Sequence, residues 1–390
     1  MEDYCLIIKV FLLGIAGIAG LFFLLVPSRI YRSIRIPFLV FVSILALLAF
    51  GTYIRFGEFA HGNKIHYHDV AHYYFGAKYA HEFGYANLYR CVCIADYELL
   101  KDAGREMPDA MKRFVIRHLE DDTLRPLEDI VNDPEDHRKC MERFTPARWA
   151  QFKKDVSDYY RVQSHYNLYD RCGDRGFNGT PFWNTYAGAL ADLLPVKRGW
   201  LIAASWLDIA FLAAGFILLG IAFGVEAALL SVIFYFGVYF NHYHYIHFSF
   251  LRYDWMGFSL AGLALIKMRR YKTSGVVLGL AAAIRLFPMV LVVGLGIKFI
   301  WDFIANRRAD RNLLNLGIAW LMTVFVCVSL SLAIYGSDRY IEYFDKLKVH
   351  SQIKTSTRIG LHYVMNAYKG HAVSAAVGTL FGEKAALSLR

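Results

Sequence analysis

The sequence predicts an α-helical polytopic membrane protein carrying one large, mainly helical extracytoplasmic insert. Three observations lead there. The 390 residues are 56% hydrophobic and only 19% charged, where soluble domains hold about 25% charge. Apolar runs of bilayer-spanning length, about 20 helical residues for a core of about 30 Å, recur along the chain. One polar stretch, residues 55–199, divides them into two groups. This composition excludes a disordered chain, which needs low hydrophobicity and high charge. With 9 Pro and 30 Gly, collagen-like and low-complexity classes are excluded too.

Residues 5–26 form the first span, with a single charge, Lys9. Acidic Glu2 and Asp3 ahead of it, and no small-residue site behind it, argue for an anchor over a cleaved leader. A basic link with Arg29, Arg32 and Arg35 follows, then a second span at 37–54. Further hydrophobic runs lie at 200–222, 226–240, 254–267, 273–284, 286–305 and 312–335, with a weaker one at 360–382. The chain thus divides into 1–54, two N-terminal transmembrane helices; 55–199, the insert; 200–335, a transmembrane bundle; and 336–390, a basic outer loop with a final hydrophobic helix. Short basic loops stay in the cytoplasm. Placing 27–36, 267–272 and 307–311 there puts the N-terminus, the insert, 241–253 and 336–359 outside. The last segment goes against the rule, since it carries Arg339, Lys346, Lys348, Lys354 and Arg358. Basic residues facing outwards need a partner, and phosphate is one. Residues 55–199 hold 21 basic and 22 acidic side chains, the remainder 22 and 11. The basic excess therefore belongs to the membrane half, scattered along helix flanks and not gathered into a nucleic-acid face.

Within the insert, Asp69 is placed to cap a helix running to Gly84, with Lys78 and Glu82 as an i,i+4 pair. Thr145-Pro146 starts another helix, through Trp149, Phe152, Val156 and Tyr160. Residues 120–138, acidic and turn-rich, read as an exposed loop. Four of the six cysteines lie in the insert: Cys91, Cys93, Cys140 and Cys172. An even number outside the membrane implies two disulfides in one of three pairings, with Cys91 and Cys93 not joined to each other. A zinc site would want closer Cys-x-x-Cys pairs.

Three outward clusters are placed to carry chemistry. The first is HGNKIHYHDVAHYY, with His61, His66, His68, Asp69 and His72. His68 and His72 stand one helical turn apart, and an Asp among imidazoles suits a general base as well as it suits a cap. A metal site from these histidines is compatible with the spacing but unspecific. The second cluster runs from Asn241 to Asp254 and includes His242, His244 and His247, with Arg252 and Asp254 at the head of a span. Its tyrosines suit an interfacial belt, while Arg252 and Asp254 suit either a mutual pair or a polar ligand. The third is Arg285, in an apolar stretch broken by Ile284-Arg285-Leu286-Phe287-Pro288. Pro288 forbids a smooth helix there, so the two halves read as a hairpin reaching the outer leaflet. An arginine in a membrane segment costs several kcal/mol unless paired or hydrated. A lipid phosphate suits its fork of donors, and snorkelling to a headgroup is the plainer account.

An early outer loop with an Asp, followed by GVVLGLAAAIRLFP after a basic cytoplasmic turn, resembles the GT-C glycosyltransferases, in particular their bacterial branch of polyprenyl-phosphate-sugar-dependent mannosyltransferase-like proteins. In that branch a Lys commonly stands where this chain has Arg285. The segments HYHDVAHYYFGAKYAHEFGYANLYRC, FTPARW, GFNGTPFW, FLRYDW and YFDKLKVHSQIKTSTRIGLHYVM resemble a bacterial group of the same layout, and the likeness covers about two-thirds of the chain. The large loop here follows the second span, so one extra helix precedes the family core.

The resemblance implies a GT-C-like transmembrane bundle and a polyprenyl-phosphate-linked sugar as donor substrate, with no other cofactor. It implies Asp69 as base and Arg285 as lipid-phosphate ligand, supported by Arg252, Lys348, Lys354 and Arg358. His68, His72, His244, His247 and Asp254 are the substrate-binding candidates, and no metal ligand is assigned. The partners implied are membrane lipid and the lipid-linked sugar, in a bacterial inner membrane with the large loop periplasmic. The chain has no Gly-rich phosphate loop or dinucleotide fingerprint, in keeping with a donor that is not a nucleotide. Two other readings stand beside this one. A non-catalytic GT-C-like subunit would dock partners in a larger membrane complex through 55–199. A transporter would use broken helices and an intramembrane Arg, though no second matching half is present.

Overall fold

A computed structural model describes residues 2–59, 64–162, 172–238 and 248–352. Two long helices open the chain, α1 (Glu2–Leu25) and α2 (Ser28–Tyr53). The basic link expected at 27–36 is mostly helical: α2 begins just after Pro27 and includes Arg29, Arg32, Arg35 and Pro37. An ion pair stabilises this start, since Arg35 Nε lies 2.7 Å from Glu226.

The insert begins with α3 (Tyr67–Val70), a π-helical turn (Ala71–Phe75), α4 (Gly76–Lys78) and α5 (Ala80–Phe83), ended by Gly84 at φ +56°. The continuous helix expected from Asp69 is therefore broken, and its cap is His66, whose Nδ1 accepts the Asp69 N–H at 3.1 Å. Lys78 and Glu82 do not pair with each other. Their sides of the helix are buried against its neighbours, where Lys78 meets Asp155 at 2.8 Å and Glu82 meets Arg148 at 2.8 Å. A buried charge takes whichever partner is packed against it.

Next come α6 (Leu88–Asp102), α7 (Asp109–Lys112), the antiparallel hairpin β1 (Val115–Arg117) and β2 (Leu124–Pro126), then α8 (Leu127–Asn132) and α9 (Pro134–Met141). Residues 120–138 thus hold a strand, a whole short helix and the start of a second in place of the expected loop. Leu127 and Ile130 enter the core, and Asp136 is locked by Arg90 at 2.7 Å and Arg125 at 2.9 Å. Local charge hid those apolar anchors. The helix expected from Thr145-Pro146 forms as α10 (Pro146–Val162), with Thr145 Oγ accepting the Arg148 N–H at 3.2 Å. Its Phe152 packs edge-on against Tyr79, Phe83 and Phe75 at ring separations of 4.8, 5.1 and 6.0 Å. Such pairs add about 1 kcal/mol each beyond their burial. Cys91 and Cys140 form a disulfide. Cys93 and Cys172 are buried free thiols in hydrogen-bond contact, so one of the two expected bridges is present.

After α11 (Pro181–Leu193) the bundle follows: α12 (Arg198–Phe223), α13 (Val225–Gly237), α14 (Asp254–Lys267), α15 (Tyr271–Ile284), α16 (Met289–Asn306) and α17 (Arg311–Tyr335). Five of the described helices, α1, α2, α12, α16 and α17, are long and apolar enough to cross a membrane. The chain is built as an α-helical, multi-pass membrane protein. Leu12, Val42, Leu212 and Ile233 bring α1, α2, α12 and α13 into one core. α14, α15 and α17 meet through glycines. A Cβ on Gly262 would stand 2.5 Å from Leu278, one on Gly275 2.3 Å from the Leu316 carbonyl oxygen, and one on Gly279 2.8 Å from Thr323. Small residues at helix interfaces let backbones approach this closely. α16 buries no side chain, and Val290, Val293, Ile297 and Ile300 are exposed along it, as a lipid-facing helix requires. The hydrophobic run at 360–382 lies outside the described residues.

The last described helix, α18 (Ser337–Gln352), belongs up to Lys346 to the compact unit 1–346; residues 347–352 belong to a second unit, 347–390. Arg339 pairs with Glu342 at 2.6 Å and donates to the His81 carbonyl, while Lys346 Nζ donates to the Tyr85 carbonyl at 3.0 Å. These two outward basic residues, for which phosphate was the expected partner, are held by the protein itself.

Candidate functional site

The first turn of the insert and the segment entering α14 are tied together. The His66 N–H donates to the Phe248 carbonyl at 2.9 Å. With His66 acting as cap, the Asp69 carboxylate is free to turn inwards, and the residue is only 5% exposed. Arg252 Nε stands 3.4 Å from its Oδ2. Burial pushes the Asp69 carboxyl above the ordinary range, with the Arg252 charge and His68 pulling against it.

Arg252 is delivered by a strained segment. Phe248 and Leu251 take φ of +53° and +48°, conformations costing about 1 kcal/mol each without glycine. What holds the strain is Asp208 on α12: its carboxylate accepts the backbone N–H groups of Arg252 at 2.9 Å and Tyr253 at 2.8 Å. The Arg252 guanidinium lies over the Tyr73 ring, 4.2 Å from its centre.

Arg285 approaches the same ring, 5.2 Å from its centre. The residue stands in extended conformation, φ −143° and ψ 145°, where α15 stops before Pro288. The sequence thus places the break correctly, and the break faces the insert: Arg285 Nη1 donates to the Asn178 carbonyl at 3.0 Å and to its Oδ1 at 3.2 Å. Thr180, the cap of α11, donates its hydroxyl to the Ala283 carbonyl at 2.6 Å. Arg285 is 7% exposed, yet its Nη2 has no hydrogen-bond partner among the described residues. Leaving a buried charged donor unsatisfied is costly, of order 1–3 kcal/mol or more.

Asp254 is brought next to this group but is already engaged. Its Oδ1 accepts the Trp255 N–H at 2.8 Å, and its Oδ2 accepts Trp183 Nε1 at 3.2 Å and the Tyr186 hydroxyl. Among the described residues it forms no ion pair with Arg252, and its hydrogen bonds tie α11 to the start of α14. His68 and His72 face another carboxylate, Asp174. His68 Nε2 is 3.0 Å from Asp174 Oδ2, and His72 Nε2 is 3.4 Å from Oδ1. The Tyr89 hydroxyl donates to Asp174 and shares a hydrogen bond with His72. The protein atoms crowded around the half-exposed Asp174 oppose its ionisation, but His72, His68 and the Gly176 N–H together hold its carboxyl below the ordinary range. His68, His72 and Asp174 each offer one atom within 4.8 Å of the others, so they are the residues able to hold a metal ion.

No family model, curated protein or solved structure matches the chain. The site's own geometry therefore has to carry the functional reading.

Of the remaining sequence candidates, Lys348 is exposed in the second unit, and His244, His247, Lys354 and Arg358 lie outside the described residues. Sequence reasoning missed Tyr73, Asn178, Asp208, Asp174 and Tyr89. Asp208 had a signal, as a lone carboxylate within an apolar span. Asn178 lay within the GFNGTPFW segment, with nothing to mark it as a partner of Arg285. Asp174 had none, since it reaches the histidines from 106 residues beyond His68.

One pH effect follows from the buried imidazole. Burial pushes His72 down to about 3 from an ordinary 6.5. Between those values the unfolded chain takes up a proton that the folded chain excludes. Stability is fully present above pH 6.5 and falls as the pH drops, by up to about 1.4 kcal/mol per unit. His72→Gln is expected to flatten the decline of the thermal midpoint between roughly pH 6 and 4. An unchanged slope would assign the proton uptake to another group.

Proposed function

We propose that the chain is a membrane glycosyltransferase that moves a sugar from a polyprenyl-phosphate donor to an acceptor on the outer face of a bacterial inner membrane. The observation that carries this reading is the meeting of Asp69, Arg252 and Arg285 around the Tyr73 ring, with an unmatched guanidinium donor on Arg285. A phosphate complements two arginines of which only Arg252 has an ion-pair partner among the described residues, since the other nearby carboxylate, Asp254, is engaged by Trp183, Tyr186 and the Trp255 N–H.

The transfer balances as follows. The acceptor oxygen gives its proton to Asp69 and bonds to the anomeric carbon. The bond from that carbon to the phosphate oxygen breaks, and its electron pair leaves with the lipid phosphate. Charge builds on the phosphate in the transition state, where fixed guanidinium donors stabilise it most. The phosphate also competes with Asp69 for Arg252, so donor binding releases the carboxylate for proton transfer.

The test uses the full chain in liposomes with a radiolabelled polyprenyl-phosphate hexose. The expected result is one donor bound per chain by native mass spectrometry and label passing to an acceptor or to water. A folded chain that retains no polyprenyl phosphate would sink the reading and favour a non-catalytic subunit that docks through the insert.

A further inference from the structure

We infer that His68, His72 and Asp174 form a binding site for a divalent cation of the zinc type. This inference stands apart from the glycosyl-transfer reading, because none of the three residues belongs to the arginine pair.

The geometry gathers three residues of ligand type, each offering one atom within 4.8 Å of the others. Each imidazole directs its Nε2 at a different oxygen of one carboxylate, at 3.0 and 3.4 Å. A tetrahedral zinc with ligand bonds of about 2.0–2.1 Å separates its donors by about 3.3 Å, so the triad, whose three ligand atoms lie within 4.8 Å of one another, needs only a modest tightening to close on one ion. The two rings meet edge to face at 84°, with centres 4.3 Å apart, so both imidazoles reach the same carboxylate. Two neutral imidazoles and a carboxylate carry one net negative charge, which a divalent cation complements.

Local structure explains the convergence. His68 lies in the short helix before the π turn and His72 within the turn itself. π turns interrupt the regular ladder and occur frequently at functional sites. The Gly176 N–H holds Asp174 Oδ1 at 2.7 Å, a supporting bond of the kind that orients metal ligands. The Tyr89 hydroxyl touches both His72 and Asp174 and offers a fourth donor. The Asp174 side chain keeps 43% of its exposure, which leaves the ion a path in. The set mixes nitrogen and oxygen donors without thiolates, which suits zinc and related transition metals over calcium or magnesium.

The full chain in detergent, stripped with a chelator, is to be titrated with zinc by calorimetry and with cobalt by visible absorption. The expected result is one ion per chain, a Kd of about 1 µM or tighter, and cobalt d–d bands of a four-coordinate site. His68→Gln and Asp174→Asn are each expected to weaken zinc by more than about 100-fold. His81→Gln, whose ring lies against Tyr335, is expected to change nothing. A monodisperse stripped chain that takes up less than one zinc overturns the inference, as does binding that survives both ligand variants. Should Asp174→Asn fail to fold, His68→Gln and the wild-type stoichiometry decide the matter alone.

Discussion

Asp69→Asn is expected to abolish sugar transfer while the chain remains folded. A positioned general base contributes about 10²–10⁴-fold, or roughly 3–5 kcal/mol of barrier. The replacement is isosteric, so it removes the proton acceptor and little volume. It also removes the partner of Arg252, which leaves that guanidinium freer for phosphate. The signature is therefore a collapse in kcat with a donor KM that stays level or falls, together with a thermal midpoint close to wild type. Loss of both kcat and donor binding would point to misfolding instead. Activity within tenfold of wild type would remove Asp69 from the chemistry. The pH profile gives a second reading. Burial raises the Asp69 carboxyl, so the base is lost by protonation as the pH falls. The acid limb of kcat should then lie above the ordinary carboxylate value of about 3.9, and the variant should lack that limb.

Arg285→Ala is expected to weaken donor binding most. Charge-assisted hydrogen bonds contribute about 1.5–3 kcal/mol, or roughly 10- to 150-fold in Kd. Arg285→Lys keeps the charge but loses the fork that reaches Asn178 and a ligand together, so an intermediate loss is expected. Arg285 also has a structural side-chain contact, to Asn178 Oδ1 at 3.2 Å. Asn178→Ala separates the two roles, because it disturbs that contact and leaves the guanidinium. Its donor affinity should fall by less than that of Arg285→Ala. Polyprenyl-phosphate binding that is unaltered in Arg285→Ala, measured by native mass spectrometry, would exclude this arginine as the phosphate ligand.

The bundle was legible because burial in lipid demands long apolar runs, and those runs are written contiguously. Pro288 marked the stop of α15, and Thr145-Pro146 marked the start of α10, through rules that act within a few residues. Arg285 was singled out because it was expensive where it stood, and Asp69 because a carboxylate among imidazoles suits a general base. What could not be read was pairing between distant residues. Nothing local distinguishes Asp174 as the partner of His68, or Asp208 as the anchor of the Arg252 backbone. The helix after Asp69 misled for a different reason: regular spacing predicts a regular helix, and the π turn at Ala71–Phe75 is imposed by packing of Tyr74 and Phe75 into the insert core. In 120–138, a high density of charge outweighed two apolar anchors whose importance lies in what they touch.

The glycine contacts of α15 bear on how Arg285 would meet a ligand. Gly275 and Gly279 let α17 lie directly against the backbone of α15, and Leu278 fills the hollow at Gly262 on α14. Arg285 follows one residue after that helix ends. A helix wedged on two flanks leaves little room to swing, so the guanidinium is aimed in advance, and capture of an anion there would lose little conformational freedom. Widening the seam with a larger side chain would turn a pre-set receptor into one that must rearrange for every binding event.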